Sequence, residues 1–152
     1  MTPFRAAPDY ARWEDVAALI HRSFAYMEAR LGHPARAASV TPDQLSQAAA
    51  TGTAWLIEAE GPPVACAFTR ASRDVADALY LGWLAVDEGC RGKGFAEALM
   101  ARAEREAREK GFATMTLDTG RPLTELHAFF HKQGYQDLPG EGEIITFCNA
   151  LA

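Results

Sequence analysis

The spacing of apolar residues along the chain changes repeatedly between the two periods that mark strands and helices. Alternating apolar and polar positions indicate a strand, and apolar residues three or four positions apart indicate a helix. This spacing predicts a strand over residues 3–7 and a helix from residue 9 or 10 to about residue 30. The apolar stripe of that helix consists of Trp13, Val16, Ala17, Ile20, Phe24 and Met27. The capping box Thr41-Pro42-Asp43-Gln44 predicts the start of a second helix, which ends at Gly52.

From residue 53 onward the predicted strands and helices follow one another closely. Strands are predicted over residues 53–60, 63–69, 78–86 and 113–118, from residue 135, and over 144–148, with helices over about 92–110 and 123–133. Gly61-Pro62 joins an antiparallel hairpin, whereas the crossover helix at 92–110 implies that the strands on either side of it run parallel. The pattern predicts a mixed α/β (α+β) fold with helices on both faces of one sheet.

Length and composition limit the classes of function. The chain has 152 residues, 49% of them hydrophobic and 23% charged, as is typical of a soluble globular protein, and we expect one domain over residues 1–152. It has no apolar run near the roughly 20 residues that span a bilayer and no signal-peptide core, so we expect a cytoplasmic protein without a membrane partner. The net charge of −5 disfavours nucleic acid as a partner and is compatible with a cationic amine.

The three cysteines predict neither a disulfide framework nor a metal site, because they are far apart and odd in number. Cys66 and Cys148 lie in apolar strands and are expected in the core, whereas Cys90 lies in a glycine-rich turn. A nucleophilic role for Cys90 would require an oriented base, and the sequence does not identify one.

One stretch of the chain concentrates the features of an anion-binding turn. The strand over 78–86 leads into the turn Gly89-Cys90-Arg91-Gly92-Lys93-Gly94, and a helix follows at once. Glycines permit positive φ and close approach of a ligand, and the first amides of a helix lack partners inside the helix. We therefore expect a phosphate or pyrophosphate on the amides of about residues 92–96. The alternative is that the glycines serve only the geometry of a tight turn.

Two common phosphate-binding patterns do not fit this turn. The Walker pattern needs Gly and Ser or Thr where the chain has Asp87 and Gly94. The dinucleotide pattern needs a small residue where Glu97 stands, although Asp118 could mimic its ribose-binding acid.

A third pattern fits. Arg91-Gly92-Lys93-Gly94-Phe95-Ala96 resembles the Arg/Gln-x-x-Gly-x-Gly/Ala signature of the GNAT superfamily of N-acetyltransferases, and Leu84-Ala85-Val86-Asp87 resembles its approach strand. The resemblance implies a GNAT-type domain, with a central mixed, mostly antiparallel, splayed sheet of about seven strands and helices on both faces. It also implies acetyl-CoA as the co-substrate, without a metal, bound by these two segments. Gly82 or Trp83 is then the expected site of a bulge that splays the strand, unless Gly82 only makes room for Trp83.

Residues 123–135 resemble the closing motif of the same family, Asn-x-x-Ala-x-x-x-Tyr-x-x-x-Gly-Phe. Gly134 and Tyr135 match its end, but Phe130 stands where the family usually has the Tyr that protonates the departing CoA thiolate. Phe130 is expected to contact the cofactor, yet it cannot donate a proton. His127 shares its helix face and is the candidate acid, with a plain surface histidine as the alternative. A thiolate can also leave without an acid.

The resemblance implies direct attack of a primary amine, from a small molecule or a peptide, on the thioester. The candidate general bases are Tyr80, Asp118 and Glu28, and the backbone at Leu84 or Ala85 is the expected donor to the thioester carbonyl. In the family the segment that corresponds to 24–40 forms part of the acceptor site. Its candidate side chains are Tyr26, Glu28, Arg30, His33 and Arg36.

The sequence is also compatible with other functions. The chain could be a catalytically weakened CoA-binding or regulatory module, as Phe130 would allow, or a nucleotide-binding domain that uses the same turn. Association of two chains into a homodimer could complete the site.

Overall fold

The computed structural model describes residues 2–25, 27–32 and 36–151. In these ranges the strands are β1 (Phe4–Ala6), β2 (Thr53–Glu58), β3 (Pro63–Ala71), β4 (Ala78–Val86), β5 (Thr114–Gly120), β6 (Gln136–Asp137) and β7 (Ile144–Ala150). The α-helices are α1 (Trp13–Ala25), α2 (Met27–Leu31), α3 (Pro42–Thr51), α4 (Phe95–Glu109) and α5 (Thr124–Lys132). Short 3-10 helices lie at Arg36–Ser39 and Glu88–Cys90.

The strands form one mixed sheet in the order β1-β2-β3-β4-β5-β7-β6. β4 and β5 run parallel, and the other described neighbours pair antiparallel. The reason lies in the connections. The long crossover through α4 returns the chain to the same end of the sheet, whereas the short connection from β2 to β3 forms a hairpin. The predicted mixed, mostly antiparallel sheet of about seven strands is confirmed.

Helices cover both faces of the sheet, as the sequence predicts. One apolar cluster joins α1 and α3 to side chains such as Leu56 and Phe68. A second cluster joins α4 and α5 to Leu79, Leu117 and Phe147 on the opposite face. We call these the α1 face and the α4 face. Because successive strand residues point to opposite faces, neighbouring positions in one strand serve different clusters.

The sheet opens into a wedge between β4 and β5. The two strands pair only from Ala78–Leu81 to Thr114–Leu117, and beyond Leu81 and Leu117 they have no mutual register. On its other edge β4 carries a bulge, since Gly82 lies opposite Phe68 but Ala85 lies opposite Cys66. The bulge redirects the second half of β4 away from β5.

Trp83 lies at the centre of this bulge and has a φ of 47°, a left-handed conformation that is rare for a bulky residue. The Cys66 thiol donates a hydrogen bond to the Trp83 carbonyl oxygen at 3.3 Å. The bulge therefore falls where the sequence predicts it, at Gly82 or Trp83.

Several predicted boundaries differ from the structure. The helix predicted up to about residue 30 is described as α1 and α2, with residue 26 outside the described residues, and α1 begins only at Trp13. The turn before it is closed by a hydrogen bond from Tyr10 N–H to the Ala7 carbonyl at 2.9 Å. The capping box at Thr41 and Gln44 is present as predicted.

The prediction that the next helix starts at Gly92 is wrong. α4 begins at Phe95, because the positive φ angles of Gly92 and Gly94 are incompatible with a right-handed helix. β6 is only two residues long and begins at Gln136, one residue later than predicted.

No helix among the described residues combines the length and the apolar character that crossing a membrane requires.

Candidate active site

The turn between β4 and α4 presents a row of backbone amides at the helix N-terminus. The first hydrogen bond inside α4 runs from Ala98 N–H to the Gly94 carbonyl at 3.0 Å. The N–H groups of Phe95, Ala96 and Glu97 consequently have no acceptor within the helix. Gly94 is the N-cap and offers no side chain to accept them. These amides and the positive end of the helix dipole together favour an anion at this position.

The glycines of the turn are explained by backbone conformation rather than by packing. Gly92 and Gly94 have φ angles of 77° and 83°. A Cβ atom added to either residue would meet no atom within 4 Å, so the space around both is open. The turn therefore has the tight geometry that the sequence left as one alternative and also the room that a bound anion needs.

The carbonyl oxygen of Val86 fixes the start of this turn. It accepts a hydrogen bond from the buried Ser23 hydroxyl of α1 at 3.3 Å and another from Arg91 Nε at 3.4 Å. Arg22 of α1 lies 3.8 Å from the Asp87 carboxylate. The C-terminal half of α1 thus holds the end of β4 and the turn in place.

The other residues expected to bind the cofactor lie around the same end of β4. Lys93 is exposed between the two glycines. Leu84, Val86 and Phe95 are partly buried and pack against the cluster of the α4 face, whereas Ala85 is buried in the cluster of the α1 face. The structure therefore gathers these residues at the mouth of the wedge.

Phe130, which the sequence predicts to contact the cofactor, is buried in the core. Its exposed fraction is 7%, and its ring centroid lies 5.5 Å from that of Phe129, 6.4 Å from that of Tyr135 and 5.8 Å from that of Phe147. This aromatic packing gives a structural reason for a large ring without a hydroxyl group at this position.

His127 has a hydrogen-bond partner in the fold. Its Nε2 lies 3.0 Å from the Gly120 carbonyl oxygen, and its ring centroid lies 5.5 Å from that of Phe147. Because a carbonyl oxygen only accepts, Nε2 carries the hydrogen in this contact, which leaves Nδ1 as the other ring nitrogen. The side chain ties α5 to the end of β5.

Tyr80 lies on the α1 face, within the paired part of β4. The guanidinium carbon of Arg70 lies 4.3 Å from the centroid of its ring. A Cβ on Gly82 would come within 2.9 Å of Tyr80 Cε1. Gly82 therefore makes room for the ring of Tyr80.

Asp118 stands just past the point where the strands part. It is exposed although β5 is a central strand, which shows that this part of the α1 face is open. Its Oδ1 accepts a hydrogen bond from the Thr146 hydroxyl of β7 at 2.9 Å. Among the candidate bases it lies nearest to the wedge along the strand register, because Leu117 is the last β5 residue paired with β4.

α2 crosses from the end of α1 towards α5. Arg30 forms an ion pair with Glu125 and donates from Nη2 to the Pro122 carbonyl at 2.6 Å. The hydrogen bond from Arg30 lowers the pKa of Glu125. Arg30 is thus engaged within the fold, while Glu28 is exposed.

Three other acceptor candidates lie at or beside the gaps between the described ranges. Tyr26 and His33 lie outside the described residues, as does the side chain of Arg36, whose backbone belongs to a 3-10 helix.

Cys66, Cys90 and Cys148 are free thiols. Burial raises the pKa of the Cys66 thiol to about 12, so this thiol stays protonated as a donor to the bulge. Cys90 and Cys148 are half-buried. Among the described residues no group of His, Cys, Asp and Glu side chains is arranged to hold a metal ion.

Sequence reasoning missed Ser23 and Thr146. Ser23 occupies a helix position that reads as part of a polar face, and its partner Val86 is 63 residues away. Thr146 could have been found from the alternation along β7, which places it on the face opposite to Phe147.

Comparison with known proteins agrees with this geometry. The sequence pattern of the Acetyltransferase (GNAT) family matches residues 13–135. A search among curated proteins returned no match. The fold is similar to that of the PaiA N-acetyltransferase from Thermoplasma acidophilum, solved in complex with coenzyme A, with a TM-score of 0.81, 14% identity and 99% of each chain covered.

Two further solved structures share the fold. The GNAT-family acetyltransferase from Staphylococcus aureus has a TM-score of 0.77 at 13% identity, with 99% of each chain covered. The ribosomal-protein-S18-alanine N-acetyltransferase from Escherichia coli has a TM-score of 0.68 at 17% identity, with 99% of this chain and 95% of that chain covered. The family pattern spans well over half of the sequence and includes both the β4–α4 turn and α5, so the chain belongs to the GNAT family of acetyltransferases.

Proposed function

We propose that this chain transfers the acetyl group of acetyl-CoA to a primary amine of a small molecule or peptide. The observation that carries the proposal is the position of the unpaired amides of Phe95, Ala96 and Glu97 at the mouth of the β4–β5 wedge. A diphosphate on these amides would leave the acyl-bearing arm of CoA next to the gap between the strands. Family membership supports the same activity.

Each part of the turn has a role in this proposal. The diphosphate oxygens accept hydrogen bonds from the helix amides, and Arg91 and Lys93 add positive charge beside them. The arm of CoA enters the wedge, where the strand-pairing groups of β4 beyond Leu81 have no β5 partner. The backbone N–H of Leu84 or Ala85 then donates to the thioester carbonyl oxygen as negative charge develops there.

The transfer itself needs no metal and one proton acceptor. The lone pair of the neutral amine forms a C–N bond with the carbonyl carbon, the C–S bond breaks, and its electron pair stays on sulfur. The proton lost by the amine goes to a base, for which Tyr80, Asp118 and Glu28 are the candidates, or to water. CoA leaves as a thiolate and takes a proton from solvent, or from Nδ1 of His127 when that ring carries a proton on both nitrogens.

A second function has one observation in its favour. Phe130 lacks the hydroxyl that often protonates the leaving thiolate in the family, and its burial among aromatic rings fits a structural position. A CoA-binding module without turnover would share the cofactor site but would release no thiol from acetyl-CoA when amines are added.

Replacement of Gly94 by leucine tests the proposed cofactor site. Leucine would force a side chain into the open space beside the amides and strain the left-handed backbone, so acetyl-CoA binding measured by calorimetry should be lost. Gly111→Leu is the matched control. Gly111 lies just beyond the other end of α4 with a φ of 81° and equally open space, so it suffers the same strain away from the turn.

The two variants should unfold at similar denaturant concentrations while only Gly94→Leu loses acetyl-CoA. Equal affinity in both would contradict the proposed position of the cofactor. Thiol release with a panel of amines, compared with a blank that lacks an acceptor, separates the transferase from the binding module.

A further inference from the structure

Thr146 of β7 donates a hydrogen bond to the Asp118 carboxylate of β5 and also lines a cavity. We propose that this surface is the acceptor site and that it takes a primary alkylamine with an unbranched chain of a few carbons and no carboxylate next to the amine. Asp118 binds the ammonium group, and the cavity beside Thr146 takes the chain. The inference rests on the proposed acetyl transfer.

Asp118 is placed where an ammonium group would meet the wedge. Its carboxylate is exposed on the open face and oriented by the Thr146 hydroxyl at 2.9 Å. It follows directly after Leu117, the last β5 residue in register with β4, so it lies at the first position where the strands part. An amine released from this carboxylate is therefore beside the gap that the thioester is proposed to enter.

The cavity next to this carboxylate has a volume of about 220 Å³. It lies between the loop before β4 and the β6–β7 hairpin. Its lining includes Val75, Leu138, Pro139, Ile144, Ile145 and Thr146. Leu138 and Ile144 are the large hydrophobic side chains that the structure leaves exposed among the described residues. An alkyl chain in the cavity would remove this apolar surface from water.

The charges around the cavity favour a cation without a carboxylate. Asp74 lines the cavity, and Asp118 is joined to the cavity through its hydrogen bond with Thr146, so two acidic side chains belong to this region. Arg121 is the cationic residue in the lining, but its Nε and Nη2 donate to the carbonyls of Gly142 and Gly140 at 2.5 Å and 3.1 Å. Arg121 keeps its charge, but Nε and Nη2 hold the hairpin in shape and are not available to a ligand carboxylate.

The test uses unbranched amines from ethylamine to hexylamine, with norleucine as a carboxylated counterpart. Steady-state thiol release should give KM values that fall about threefold to fourfold for each added CH₂ group until the cavity is filled. The KM for norleucine should be at least ten times higher than the KM for pentylamine. Asp118→Asn should raise the KM for pentylamine about tenfold or more and change acetyl-CoA affinity less than twofold.

Two matched variants keep the test specific. Asp43→Asn removes an equal charge from the exposed first turn of α3, away from the wedge, and should leave the KM values unchanged. Ile144→Ser, at an exposed position, should make KM depend less on the length of the amine without altering the affinity for acetyl-CoA.

A binding readout separates this inference from the proposed function. Pentylamine titrated into the isotope-labelled protein should shift the amide signals of Asp118 and Thr146. If the unmodified chain does not bind acetyl-CoA, the transferase proposal itself is contradicted. If other amines of the wider panel are acetylated, then flat KM values, unshifted signals or no acetylation of this series would overturn the acceptor site alone.

Discussion

At the scale of single residues, the carbonyl group of Val86 connects the strand, the turn and α1. It ends β4, begins the glycine-rich turn, and accepts hydrogen bonds from Ser23 on α1 and from Arg91 in the turn itself. The hydroxyl of Ser23, a residue that is 7% exposed, and the guanidinium of Arg91 thus bind the same oxygen. The turn can therefore hold its amides in place before a ligand arrives, which reduces the ordering cost of binding.

Ser23→Ala removes one of these two restraints. Arg91 still satisfies the Val86 carbonyl, so the free energy of unfolding should change by less than about 1 kcal/mol, while the Kd for acetyl-CoA should rise about fivefold. Calorimetry at constant temperature measures the affinity. Ser46→Ala is the control, because Ser46 also donates to a carbonyl, that of Pro8, but away from the turn. An unchanged Kd for Ser23→Ala would show that α1 does not position the turn.

At the scale of elements, α4 is joined to the sheet by a buried carboxylate. Glu106 is 5% exposed and accepts hydrogen bonds from Thr53 at 2.7 Å, Trp55 at 2.9 Å, Thr69 at 2.7 Å and Lys110 at 2.7 Å. Burial alone would raise the pKa of Glu106, but these donors outweigh it and hold the pKa below the ordinary value. The helix that carries the proposed anion site is therefore fixed to β2 and β3 by charge as well as by apolar packing.

Glu106→Gln should lower the free energy of unfolding by about 3 kcal/mol at neutral pH, because the amide cannot accept from all four donors. Since the folded pKa is depressed, the contribution of Glu106 is complete above the ordinary glutamate pKa of about 4.3 and is lost as the pH falls through the lower folded value. Urea denaturation at neutral and acidic pH should show the difference narrowing below about pH 4.

Glu109→Gln provides the comparison on the same helix. Glu109 is exposed and pairs with Arg105 at 3.3 Å, so its loss should cost less than about 1 kcal/mol. Equal destabilisation by both substitutions would contradict a special role for the buried carboxylate.

At the scale of the whole molecule, β4 and β5 are paired where the two strands begin and separate where they end. β4 and β5 share only four paired positions, and the open ends lie between the turn at Gly94 on one side and Asp118 on the other. α2 links α1 to α5 across this end through Arg30. The gap is thus open to both faces of the sheet, as the proposed entry of acetyl-CoA from one face and an amine from the other requires.

Much of this architecture could be predicted from the sequence. The period of the apolar residues, the capping box at Thr41 and the crossover through α4 are local signals, and they predicted the sheet and its helices. Gly82 inside an apolar strand indicated the bulge, but the side chain that needs the space is Tyr80. The start of α4 was misplaced because glycine spacing does not tell a helical turn from a left-handed one.

The rest depends on contacts between distant residues. Ser23 with Val86, Arg30 with Glu125, and Thr146 with Asp118 join positions that no local pattern connects. The cavity beside Asp118 arises where the loop before β4 meets the β6–β7 hairpin. Such sites follow from the register of the sheet, which the sequence pattern specifies only in outline.

A crystal structure of the chain with acetyl-CoA tests the central claim most directly. The account predicts diphosphate oxygens within about 3.2 Å of the amide nitrogens of Phe95, Ala96 and Glu97, with the thioester between β4 and β5. A bound cofactor whose diphosphate lies away from these amides, or whose acyl group lies outside the wedge, would contradict it.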